Sequence, residues 1–327
     1  MDSPGSPEPV LRLARGYWEA RVILSAAELR LFDYLEERPR SAADLASAAQ
    51  IDARGAEIVL HALTGLGLLE KHEGLFRNTA STSAYFVSTS PASVVAVLDH
   101  YTNLWDTWSQ LTEVIRSGKP ATRSSRQGSL EAFILAMHGF ARSRVAKVVD
   151  AIDLSGVSSV LDIGGGPGTY SCEFAHRNPR LKATVLDFPD VLVITRRIAE
   201  EAGLDAQVGI LPGDVLTTDL GSGYDLILIS AVIHSNSPDE IQLIFRKVFA
   251  ALEPGGQIVV QEFLLDDSKT QPPSAALFAV NMLVGTQGGA TYSESEVRRW
   301  LAEAGFVDLQ RRDPDEFASL FVGRKPR

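Results

Sequence analysis

"VLDIGGGPGTY", Val160 to Tyr170, is the stretch on which the fold turns. An apolar run with Asp162 inside it reads as a buried strand. It stops at three consecutive glycines, a proline and a fourth glycine. Without a Cβ, the backbone at Gly164, Gly166 and Gly168 can turn tightly and approach a ligand closely. The residues that follow read as a helix whose first N–H groups face that turn. Strand, glycine turn and helix in this order suggest a nucleotide cradle. The spacing, however, is G-x-G-x-G, not the G-x-G-x-x-G that seats a pyrophosphate on a helix N-terminus.

Downstream, apolar bursts alternate with helical segments. The bursts are "SSVLDI", "KATVLDF", "QVGILPG", "YDLILIS", "GQIVVQEFLL" and "FASLFVGRK"; the helical segments include "VLVITRRIAEEAG" and "SESEVRRWLAEAGF". This alternation predicts an α/β domain with a doubly wound, mostly parallel sheet that binds ligands at the carboxyl ends of its strands. Three acids fall at successive strand ends: Asp162 before the glycines, Asp187 in "TVLDF" and Asp214 in "LPGDV". A carboxylate beside the cradle repels a pyrophosphate and attracts an ammonium group. Asp187 is placed to hold ribose hydroxyls, and Asp214 to meet an adenine amino group. S-adenosyl-L-methionine has all three features.

Upstream, Leu11 to Leu35 carries helical spacing that Pro39 ends, and "MDSPGSPEPV" reads as a short disordered lead without the apolar core of a signal peptide. Ser41 and Asp52 are N-cap residues for two further helices. "LLEKHEGLFRNT" then reads as two strands about a turn at Glu73-Gly74. The order is that of a winged helix. Its candidate recognition helix, "DARGAEIVLHALTGLG", has Arg54 as its one cation, and the 327-residue chain carries a net charge of -10, so nucleic acid is not the expected partner. Leu60, Leu63, Leu66 and Leu69 form an apolar stripe suited to packing or dimerisation. Two aromatic-rich helical patterns between Ser88 and Asp150 flank the loop "KPATRSSRQGS". One cysteine, Cys172, allows no internal disulfide or cysteine-based metal site, and no apolar run reaches the ~18 residues of a membrane helix. The expected address is cytoplasmic.

With "LDIGGGPGTY", "VLDFPDV", "PGDV", "ALEPGGQIVVQEFLL" and "SESEVRRWLAEAGF", the chain resembles the class I S-adenosylmethionine-dependent small-molecule O-methyltransferases. That family includes plant phenolic, acetylserotonin and bacterial natural-product enzymes. The resemblance covers nearly the whole chain. It implies a winged-helix dimerisation domain at 1–90, a helical connector at 91–150 that contributes to the substrate pocket, and a Rossmann-like catalytic domain at 151–327. It also implies a homodimer, a small aromatic or polyketide-like acceptor, and no metal or membrane partner. To the cofactor set of Asp162, Gly164, Gly166, Gly168, Asp187 and Asp214 it adds Phe188, Gly213, Val215 and Ser230. For the substrate pocket it implies Trp105, Met137, His138, Asn281 and Met282.

His234, just past "YDLILIS", stands where the family carries its base. A hydroxyl must lose its proton as it attacks the sulfonium methyl, and an imidazole with an ordinary pKa near ~6.5 can accept one at neutral pH. Glu262 matches the acid that orients that histidine, and His138 is the rival base. The chain departs from the family in two places. "HSNSP" replaces the "HDW" or "HNW" setting, and "GGATYSES" replaces a second glutamate, with Ala290 or Thr291 near its position. These departures keep C- or N-methylation and non-methylating tailoring chemistry as alternatives. A ligand-sensing transcription regulator is the alternative of another class.

Overall fold

The computed structural model describes residues 6–122, 130–314 and 319–327. Most of the loop "KPATRSSRQGS" and the first two residues of "FASLFVGRK" lie outside them. The chain divides into two compact units, Met1–Trp105 and Asp106–Arg327.

In the first unit the expected lead is already helical at Glu8. The Ser6 hydroxyl accepts the Glu8 N–H at 3.2 Å, Pro7 starts the helix, and an Arg15–Glu8 ion pair closes its exposed face. The helical pattern from Leu11 to Leu35 is not one helix but several, Glu8–Arg15, Tyr17–Glu28 and Leu31–Glu37. It breaks at Gly16 and at Arg30, whose φ of +53° no helix accommodates. Ser41 and Asp52 cap their helices as read, accepting from the Asp44 and Gly55 N–H groups. Strands β1 (Leu69–His72) and β2 (Leu75–Asn78) pair antiparallel about Glu73-Gly74. Leu31, Phe32, Leu45, Leu60, Leu63, Leu69 and Phe76 form the core beneath them. Leu66 is a correction to the apolar stripe: it is the C-cap of its helix and is 39% exposed.

In the second unit the described strands are β3 (Ser159–Ile163), β4 (Lys182–Asp187), β5 (Val208–Pro212), β6 (Tyr224–Ser230), β7 (Leu252–Glu262), β8 (Val307–Arg312) and β9 (Ser319–Arg324). They form one sheet in the order β5-β4-β3-β6-β7-β9-β8. β3 to β7 run parallel, and β9 and β8 are antiparallel to their neighbours. β8 has no counterpart among the apolar bursts, because "VDLQRR" forms a sheet edge and keeps mostly polar, exposed side chains. Helices cover both faces. Ile227 and Ile229 of β6 pack with Phe245 and Trp300 on one side, while Leu226 and Leu228 pack with Phe174 and Leu181 on the other. That is why the strand reads as an unbroken apolar run. The register brings Ile163, Leu186 and Ile229 side by side, and pairs Asp187 with Pro212 and Ser230 with Gln261. The carboxyl ends of five parallel strands therefore share one edge. Asp214 stands two residues past the end of β5.

Candidate active site

The glycine turn is built from left-handed backbone. Gly164, Gly166 and Gly168 have φ of +62°, +51° and +72°. A Cβ on Gly164 would lie 2.5 Å from a methyl of Val232, two residues before His234. The glycine turn after β3 and the histidine turn after β6 therefore meet in direct contact. A Cβ on Gly166 would meet nothing within 4 Å. Asp187 closes the turn from the β4 side: one carboxylate oxygen accepts the Gly166 N–H at 2.9 Å and the other the Phe188 N–H at 2.8 Å. Burial raises the Asp187 pKa, opposed by those two hydrogen bonds. The adjacent Phe188 is 58% exposed despite its apolar ring.

Asp162 lies fully buried under the turn. The Ser171 hydroxyl donates to one of its oxygens at 2.8 Å, and the other oxygen has no partner. Gly165 has no room for a side chain, since a Cβ there would stand 2.6 Å from the Asp162 carboxyl carbon. Burial above all, with the charge of Asp187 added, pushes the Asp162 pKa up to about 7. An orphaned buried carboxyl oxygen suits a cationic donor such as an ammonium group.

The unfolded chain ionises this carboxyl near 3.8 and the folded protein only near 7, so across that window the native state holds a proton that the unfolded state has lost. Stability must therefore fall as pH rises through the window and level off above it. Thermal melts of Asp162→Asn should show a flatter decline than the parent from about pH 4 to about pH 7. Parallel curves would mean that Asp162 is ionised throughout.

Past β5, a Cβ on Gly213 would land 1.9 Å from the Thr218 hydroxyl, so only glycine fits before Asp214. One Asp214 oxygen accepts the Leu216 N–H at 2.8 Å, and Val215 is buried. The Ser230 hydroxyl donates to Gln261 at 2.9 Å.

His234 sits in a single 3-10 turn, Ile233–Ser235, reached through Ala231 at φ +56°. An L-residue pays roughly 1–2 kcal/mol for that conformation, and such strain gathers at functional sites. Here it swings the chain sharply off the end of β6. His234 Nδ1 lies 2.8 Å from Glu262 Oε1, and Glu262 Oε2 accepts the backbone N–H of His234 at 3.3 Å. Both side chains are nearly buried, at 11% and 1% exposure. An ionised carboxylate only accepts, so Nδ1 carries the hydrogen and Nε2 keeps its lone pair. The Phe278 ring stands edge-on to the imidazole, with centroids 4.9 Å apart, and Phe263 lies 4.3 Å from Phe278.

The two stretches that depart from the family pattern brace this turn. Within "HSNSP", the Asn236 side-chain amide donates to the Val232 carbonyl and the Asn236 backbone carbonyl accepts the Tyr292 hydroxyl at 2.5 Å. Within "GGATYSES", the Ala290 N–H donates to the His234 carbonyl at 2.9 Å, and a Cβ on Gly289 would stand 2.4 Å from that oxygen. Thr291 is buried.

His138 is half-buried and lies 2.8 Å from the hydroxyl of Thr169, the first residue of the helix after the glycines. Burial first, and then the charge of Arg142, lowers its pKa. Asn281 accepts from the Trp108 indole at 2.8 Å, and Met282 is buried while Met137 is half-buried. Trp105 belongs to the first unit, where the Arg21 guanidinium lies 5.4 Å from its ring centroid. Thr195, Ser171, Val232, Gly289 and Phe278 escaped the sequence reading. Each is an ordinary residue, and all but Ser171, whose partner Asp162 lies nine positions before it, meet partners remote in sequence. Among the described residues no cluster of three His, Cys, Asp or Glu is gathered for a metal.

The O-methyltransferase domain model matches residues 108–307, and the O-methyltransferase dimerisation domain matches residues 11–88. The chain belongs to the O-methyltransferase family. It is 34% identical over 315 residues to the 3-hydroxy-5-methyl-1-naphthoate 3-O-methyltransferase of Streptomyces sahachiroi, an alignment that covers 93% of this chain and 90% of that one. It is 29% identical to the tetracenomycin polyketide synthesis 8-O-methyl transferase of Streptomyces glaucescens, over 98% and 97% of the two chains. Human N-acetylserotonin methyltransferase, solved in complex with S-adenosylmethionine, superposes with a TM-score of 0.88 at 26% identity over all of both chains. This O-methyltransferase uses S-adenosylmethionine as its methyl donor.

Proposed function

We propose that this O-methyltransferase methylates a hydroxyl of a small aromatic or polyketide-like metabolite, with His234 as general base and Glu262 as its orienting partner. The 2.8 Å contact between His234 Nδ1 and Glu262 carries the reading. When bound, S-adenosylmethionine supplies a methyl group on a sulfonium that leaves readily. The remaining work belongs to the chain's own residues. Glu262 fixes both the ring and the backbone of His234, so that Nε2 points its lone pair at an acceptor hydroxyl and takes its proton. Positioning supplies the larger share of the acceleration. Asp187 takes the ribose hydroxyls on the oxygen edges left by Gly166 and Phe188. The free oxygen of Asp162 takes the ammonium group, Gly166 gives the cofactor its room in a turn that Gly164 and Gly168 let close against Val232 and Thr195, and Phe188, Gly213, Asp214, Val215 and Ser230 surround its nucleoside. His138, Met137, Asn281 and Met282 are assigned to the acceptor side.

The Phe278 and Phe263 rings beside the base and the naphthoate and polyketide acceptors in the relatives' names support a flat aromatic acceptor. The dimerisation domain supports a homodimer. The net charge of -10 goes with a small-molecule partner and not nucleic acid. No described helix is long and apolar enough to cross a membrane, and a single cysteine suits a cytoplasmic address. The test is incubation with methyl-labelled S-adenosylmethionine and a panel of phenols, hydroxynaphthoates and hydroxyquinones. Label recovered as aryl methyl ether is expected; label on carbon or nitrogen alone would overturn the O-methylation reading.

A further inference from the structure

Gly166 is held from both sides by one piece of chain. Its N–H donates to Asp187 at the end of β4, and its carbonyl accepts the hydroxyl of Thr195 at 2.5 Å. Thr195 lies on the helix Pro189–Glu201 that follows β4 directly. The two anchors are eight residues apart (195 minus 187), one at the strand end and one two turns into the helix. Thr195 is fully buried, and its hydroxyl also reaches the Val191 carbonyl at 3.3 Å. Its methyl fills the space beneath Gly168, where an added Cβ would lie 2.9 Å away. The Gly166 N–H can point at Asp187 only in one orientation of its neighbouring peptides. With φ at +51° and no side chain of its own, Gly166 has nothing else of its own to fix that orientation.

We propose that Thr195 is a positioning residue for the cofactor: its hydroxyl locks the Gly166 carbonyl, and through Gly166 it fixes the Asp187 carboxylate in the orientation that receives the ribose. The helix backbone alone would satisfy Val191, whereas the Gly166 carbonyl has Thr195 as its side-chain partner. A buried carbonyl that loses its donor is free to rotate toward another. The site thus acts in sequence: the Thr195 hydroxyl on the Gly166 carbonyl, the Gly166 backbone across its Cα, and the Gly166 N–H on the Asp187 carboxylate. The proposal rests on the ribose-binding reading of Asp187, and its test separates the two.

The full-length enzyme is titrated with S-adenosylmethionine and S-adenosylhomocysteine by calorimetry, and steady-state rates are measured at saturating cofactor. Thr195→Val keeps the shape and removes the hydroxyl. Thr195→Ser and Thr195→Ala both lack the methyl and differ from each other in the hydroxyl. Thr195→Val and Thr195→Ala are expected to bind about ten-fold more weakly, Thr195→Ser to bind as the parent does, and kcat at saturation to stay within about two-fold in all three. If Thr195→Val does not fold, the Ser and Ala pair carries the comparison alone. Equal affinity of the Ser and Ala variants would overturn the proposal, because packing of the methyl would then be the residue's whole role. Asp187→Ala is measured alongside: a loss of affinity there without any loss in Thr195→Val also overturns the proposal, whereas unchanged affinity in Asp187→Ala overturns the ribose reading itself.

Discussion

Replacing His234 with glutamine is expected to lower kcat by about 10²- to 10⁴-fold, the range that a positioned general base contributes. Cofactor affinity should hardly change, because Val232 makes the contact of this turn with Gly164. Glutamine retains a donor toward Glu262, so the buried carboxylate is not stranded and the protein should fold. What is removed is the Nε2 lone pair. Glu262→Gln should cost less, roughly ten-fold, since it leaves the base in place and weakens charge-assisted hydrogen bonds from the ring and from the backbone N–H groups of His234 and Phe263. Rates measured at saturating cofactor and acceptor, with calorimetry in parallel, check both. An unchanged kcat in His234→Gln would pass the role of base to His138 or leave the reaction to positioning alone.

Replacing Asp187 with alanine is expected to weaken S-adenosylmethionine binding by about 100-fold, the loss of two charge-assisted hydrogen bonds to ribose hydroxyls. At saturating cofactor kcat should recover most of its value, which separates this variant from His234→Gln. Two N–H groups that the carboxylate holds, those of Gly166 and Phe188, lose their acceptor at the same time, so the glycine turn loosens along with the ribose contact. Asp187→Asn is the control: one amide oxygen remains as an acceptor, and binding should fall between the alanine variant and the parent. Affinity within two-fold of the parent in Asp187→Ala would show that the ribose lies elsewhere.

The parts of this protein that were legible in the sequence are those written in consecutive residues. Capping at Ser41 and Asp52 needs only a side-chain oxygen three residues before an N–H. The hairpin at Glu73-Gly74, the glycine turn after β3 and the acid closing β4 are equally local. The unread parts had no local signal. Strand β8 is polar because it is an edge, and edge position belongs to the sheet. The break at Arg30 depends on a left-handed residue that is not glycine.

The sequence by itself determined the alternation of strand and helix, the left-handed glycine turn and the presence of Asp162, Asp187, His234 and Glu262 near strand ends, because each follows from side-chain periodicity or backbone freedom over a few residues. Tertiary structure alone decided which groups touch. Glu262 meets His234 because β7 pairs with β6, bringing together residues 28 positions apart. Thr195 reaches Gly166 because the helix after β4 folds back beneath the turn after β3. Asp162, which the sequence presents as a charged group, lies buried beneath the turn with one oxygen unpartnered and its pKa pushed up to about 7, because the low-dielectric interior, not the residue type, sets the state of a buried acid.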